Sequence, residues 1–166
     1  MVKHILVSVG MLASTAAAAA AADFSLTIGN SFAAAGPYSG PAPTGPTVKK
    51  VAKDALFAVR LEQCPTLDRA QITGVAKGMI GGVRKSAPVI FLTAGSPGVY
   101  VATPGWSQSD GVWVVAVSAT CGTANAGALV SIGPRGFLRE STQLLPRAAT
   151  KAEIDAALKA LELSGN

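Results

Sequence analysis

The sequence is poor in the side chains that carry most enzyme chemistry. Its 166 residues include one histidine, His4, and three methionines. His4 sits in a leader that is expected to be removed, so the mature chain is expected to hold no histidine. That excludes a Ser-His-Asp or Cys-His catalytic unit and a histidine metal site. Met79 is then the last methionine, too few for the methionine clusters that handle copper. No metal, cofactor or calcium-loop spacing is visible. There is no phosphate loop and no Gly-x-Gly-x-x-Gly at a strand–helix junction. Aromatic residues make up 5% and charged residues 14% of the chain. That leaves no strong basic stripe interleaved with stacking rings, which argues against nucleic acid as a partner.

What is present points first to export. Met1-Val2-Lys3-His4 is a short basic head, Ile5 to Leu12 is apolar, and an alanine tract runs to Ala20-Ala21-Ala22 before Asp23. These are the parts of a secretory signal peptide, with cleavage expected after Ala22. The strongly apolar stretch is shorter than the roughly 20 residues a membrane span needs. No cysteine lies near the junction to carry a lipid anchor, and no later stretch is long and apolar enough to span a bilayer, so no stable membrane span is expected after cleavage. Removing 22 residues leaves 13 basic and 9 acidic side chains, a net charge of +4. Such a charge suits acidic polymers or lipid headgroups, and it serves solubility equally well.

Four segments follow: a signal peptide at 1–22, a flexible Pro/Gly-rich segment at 23–50, a β domain at 51–146 and a C-terminal helix at 147–166. The Pro/Gly pairs at 36–37, 40–41 and 45–46 break any regular element. Phe24 to Ile28 alternates apolar and polar residues, a pattern for an edge strand or a partner contact. From Val51 onward the period is two. Strands are expected at 55–62, 71–80, 83–93, 99–103, 112–120 and 128–132, with Gly81-Gly82 as a hairpin turn. Gly74 and Gly78 thin the second strand. Val112 to Thr120 is the most apolar and is expected to be covered on both faces. Short strands with frequent turns read as an all-β antiparallel sandwich of immunoglobulin-like type. At the C-terminus Thr150 and Glu153 make a capping box. Ile154, Ala157, Leu158 and Leu161 form one stripe, and Lys159 is placed in the last turn.

Cys64 and Cys121 are the only cysteines. An even count in an exported chain predicts a disulfide. Phe57, Val59 and Leu61 put the core on odd positions, so Cys64 is expected at the sheet margin, where Pro65 ends the strand. No Cys-x-x-Cys spacing marks a redox pair.

The remaining candidates are binding residues. Trp113 lies in the most apolar strand and reads as core. Trp106 lies beside Pro104-Gly105 and is the better of the two candidates for an exposed contact, with a packed ring as the alternative. Tyr100, Arg135 and Phe137 complete the candidate set. Arg60, Lys77, Arg84 and Lys85, with Lys49, Lys50 and Lys53, form a mildly basic group. Nine mature carboxylates leave a carboxylate-based hydrolase open as the lowest alternative.

Pro97-Gly98-Val99-Tyr100, followed by Gly111-Val112-Trp113-Val114-Val115-Ala116-Val117, resembles a stretch of small bacterial envelope proteins. It is similar to the Pro-Gly-x-Tyr … Gly-x-Trp-x-x-x-Val pattern of the YtkA-like and FixH-type groups. The resemblance implies an immunoglobulin-like sandwich outside the cytoplasm. Those groups' metal-ligand clusters and lasting anchor are not matched here, so metal delivery and oxidase assembly are not carried over. Ile132-Gly133-Pro134-x-Gly136-Phe137 resembles uncharacterised secreted bacterial proteins. The expectation is a periplasmic or secreted, non-catalytic protein that binds a protein partner in the cell envelope. The alternative is a small-ligand or glycan binder. Oligomeric state is not legible.

Overall fold

A computed structural model describes residues 23–31, 54–94, 96–106 and 111–164. The expected signal peptide, and the expected Pro/Gly segment after Ser31, lie outside the described residues. Within them the strands are β1 (Ser25–Asn30), β2 (Phe57–Glu62), β3 (Gln71–Ile80), β4 (Val83–Thr93), β5 (Val99–Pro104), β6 (Val112–Cys121), β7 (Ala124–Gly133) and β8 (Gly136–Leu145). Helix α1 (Lys151–Ser164) follows.

The strands join in one antiparallel sheet in the order β1-β2-β5-β4-β3-β6-β7-β8. The sheet curls until β1 lies beside β7 and β8, giving a nearly closed barrel. The all-β antiparallel expectation holds, but one continuous sheet stands where two facing sheets were expected. The reason lies in β4. Val83–Pro88 pairs with β3, while Val89–Thr93 pairs with β5. One strand thus passes the sheet from one wall to the other, as strands do at barrel corners. Pro88, which has no N–H to donate, stands at the hand-over.

Side-chain parity builds the core. Trp113, Val115, Val117, Ala119 and Cys121 of β6 point inward with Ala126, Ala128, Val130 and Ile132 of β7. Val114 and Leu129 point outward and are buried by Ala157, Leu158 and Leu161 of α1. The expected coverage of β6 on both faces is therefore observed. The glycines of β3 do not merely weaken it. A Cβ at Gly74 would stand 2.8 Å from Phe91 Cε2, and one at Gly78 would clash with Cδ2, Cε2 and Cε3 of Trp113. The inward face of β3 is small because two large rings from neighbouring strands lie across it.

Phe24, Leu26 and Ile28 of β1 are buried in the core, so the start of the expected flexible segment docks as a strand on β2. Strand β8 was not expected at all. Its pairing with β7 shifts register between Leu129 and Ser131, a β-bulge. Phe137 and Leu144 consequently do not keep the parity that a period-two reading requires. Ser131, buried beside the bulge, donates to the Ser141 carbonyl at 3.2 Å.

The capping box is formed. Glu153 N–H donates to Thr150 Oγ1 at 3.3 Å, and Thr150 N–H donates to Glu153 Oε2 at 2.7 Å. The last turn of α1 holds no basic residue, because the helix runs past Lys159 to Ser164. Arg147 also grips Glu153 with two N–H donors, at 2.8 and 2.9 Å. This guanidinium, then the Thr150 amide and hydroxyl, hold the Glu153 carboxyl down to about 2. A depressed carboxyl stabilises the fold above its unfolded range and loses that contribution as pH falls. The urea midpoint of the native chain should therefore drop between pH 4.5 and pH 2. Glu153→Gln should remove part of that drop, and equal acid sensitivity in both proteins would contradict the assignment.

Candidate functional site

Register decides which residues share an end of the barrel. Two connections lie at the barrel ends: residues 63–70 carry the chain from β2 to β3 without pairing, and Gly105-Trp106 leave β5 where Gly111 leads into β6. They lie at opposite ends, because β2 finishes where β5 begins.

The first crossover holds the disulfide. Cys64 and Cys121 are bonded, with Cα atoms 5.8 Å apart. Strand parity alone would turn Cys64 away from the core, as expected from its even number. Gln63 takes a left-handed conformation, φ 59°, which L residues other than glycine adopt at some cost. That turn brings Cys64 back to the inward-facing Cys121. The bridge therefore sits at the strand ends, as the margin placement predicted. Leu67 then packs on Gly98, where a Cβ would stand 2.6 Å from Leu67 Cδ2.

The second crossover holds Trp106. Its ring stacks on Trp113 with centroids 4.7 Å apart. Gly105 N–H donates to the Pro88 carbonyl at 3.2 Å. Gly111 (φ 85°) allows the return into β6, because a Cβ there would strike the Met79 carbonyl. Trp106 is half-buried, and its Nε1–H is buried without an acceptor among the described residues. An unmatched buried donor costs about 1–3 kcal/mol.

Three of the four candidate binding residues meet at this end. The β7–β8 turn carries Arg135, exposed, with Phe137 just after it. Phe137 is half-buried, with its ring 6.0 Å from that of Phe57 at the start of β2. It serves the core as much as the surface. Asn30 and Phe57 pair with each other at the same end. The described chain thus leaves the barrel after Asn30, and β2 begins with Phe57, at the same end as Trp106 and Arg135. Tyr100 does not join them. It pairs with Val59 and Thr93, and it is packed toward the disulfide half of the core.

Other chemistry finds little footing. Among the described residues, no three His, Cys, Asp or Glu side chains gather to hold a metal. Glu62, Asp68, Glu153 and Asp155 each lie within ion-pair distance of an arginine. Glu153 is pushed down, the opposite of what a general acid requires. The disulfide points to an oxidising extracytoplasmic compartment. No helix among the described residues is long and apolar enough to cross a membrane. Sequence reasoning grouped Lys77 and Arg84 as basic but missed that Lys151 of α1 joins them to line a cleft beside the helix. Lys151 is far from the other two in sequence and meets them only because α1 folds over β3. Comparison with protein-family models, with curated proteins and with solved structures found no match.

Proposed function

We propose that this chain is an exported, non-catalytic binding or accessory protein of the bacterial cell envelope, acting in the periplasm or after secretion. Its contact surface is the barrel end that carries Trp106 and Arg135. One observation carries the reading: the β5–β6 crossover, the β7–β8 turn and both attachment points of the Pro/Gly-rich stretch converge there. A rigid sheet presenting loops at one end is the usual way a β scaffold displays a contact surface. The unmatched Trp106 Nε1–H supports the same end, since an acceptor supplied by a partner would recover its lost hydrogen bond.

The test is affinity capture from the native envelope with a set of variants. Arg135→Glu and deletion of residues 32–50 should each reduce capture of the partner at least tenfold. Arg69→Glu, at the opposite end, should leave capture unchanged. Arg135 and Arg69 are both exposed, so melting temperatures should stay within a few degrees of the native value. Retention of the partner in all three variants would contradict the reading.

A further inference from the structure

A second surface, independent of the barrel end, has the chemistry of an anion site. The β3–β4 hairpin projects beside α1 and leaves a cleft of about 490 Å³ between them. Lys77 and Arg84 come from the hairpin and Lys151 from the first turn of α1, while Lys85, opposite Gly78, gives the cleft its backbone and alternates to the other face. Asp155 is the one acid lining the cleft, and it is already ion-paired with Arg84. Lys77, Arg84 and Lys151 against Asp155 leave a charge of +2. Lys77 Nζ donates to Ser86 Oγ at 3.0 Å, which holds the ammonium at the cleft wall beside a hydroxyl. Lys151 has no hydrogen bond or ion pair among the described residues. Ile154 and Leu158 give the cleft an apolar side.

Stability does not explain this arrangement. A lysine in the first turn of a helix opposes the helix dipole, where an acid would be favourable. Clustered like charges add repulsion. A bound dianion would relieve both. A carboxylate brings one charge, whereas a phosphate monoester brings about −1.5 to −2 and three acceptor oxygens. Lysine, arginine and hydroxyl donors on two walls suit those oxygens, and the apolar side suits a hydrocarbon body.

We propose that the cleft between the β3–β4 hairpin and α1 binds a phosphate monoester carried on an apolar body. The source is either a soluble ester or a lipid headgroup. The proposal goes beyond the partner-binding reading and does not depend on it.

The experiment uses the mature chain at low salt with two probes. Phenyl phosphate is titrated by amide NMR, and phosphatidic acid vesicles are compared with phosphatidylcholine vesicles by co-sedimentation. Binding of phenyl phosphate identifies a soluble source, and binding only to phosphatidic acid identifies a lipid source. In either case Lys77→Gln with Lys151→Gln should weaken binding at least tenfold. Arg69→Gln with Arg139→Gln removes the same charge elsewhere and should change it less than twofold. All four side chains are partly or fully exposed, and the melting temperature of each variant checks the fold. Failure of both probes to bind would overturn the proposal. So would equal loss in the two double variants, which would mean general electrostatics only.

Discussion

Replacing Cys64 and Cys121 together by alanine should lower the unfolding free energy by about 4 kcal/mol. The bridge closes a loop of 57 residues, and the chain-entropy treatment assigns about that value to such a loop. For a domain whose net stability is of order 5–15 kcal/mol, this is a large share. The structure adds a reason to expect the full effect. The crossover from β2 to β3 spans a barrel end without strand pairing, and the bridge fastens it to the β6–β7 hairpin. With a urea slope of about 2 kcal/mol per molar, the midpoint should fall by roughly 2 M. Reduction of the native protein should reproduce the shift. A loss below about 1 kcal/mol would show that the crossover is held by Leu67 and its neighbours instead.

Trp113→Ala should be the most damaging single core substitution, costing about 3–5 kcal/mol. Trp113 is 2% exposed and lies against Gly78, and Trp106 stacks on it. Removal would empty the barrel end and unseat the second crossover. Gly78→Ala attacks the same packing from beneath. Alone it should cost about 1–3 kcal/mol, because the new Cβ has no room beside the indole. In the Trp113→Ala background that penalty should vanish, and alanine should be neutral or mildly stabilising in the strand. The double-mutant cycle therefore predicts a coupling of about 1–3 kcal/mol. Additive losses would mean that Gly78 is required for another reason. The two crossovers thus use different fasteners: a covalent bond at one end and stacked indoles at the other.

Period-two patterning located β2 to β6 and part of β7, because those strands keep one apolar face toward a common core. It failed where the sheet departs from regularity. The bulge opposite Leu129 and Ser131 scrambled the parity of β8, so its apolar residues did not read as one face. The curl into a barrel depends on β4 pairing with β3 and then with β5, a long-range exchange that no local pattern records. Cys64 looked misaligned because Gln63 reverses the chain in a conformation that residue type does not announce. The α1 stripe and its capping box were legible because every interaction involved lies within eight residues. Trp106 was legible as special but not as half-buried, since its stacking partner comes from another strand. The basic character of Lys77 and Arg84 was legible, but the cleft was not, because Lys151 reaches them only when α1 folds over β3.

The central claim is that partner contact occurs at the Trp106 end of the barrel. A photo-crosslinking residue placed at position 135, and in a second protein at position 122, tests it most directly in the native envelope. Position 122 lies in the β6–β7 turn at the disulfide end. The account predicts a discrete crosslinked adduct from position 135 and none from position 122. An adduct from position 122 alone, or none from either, would contradict it.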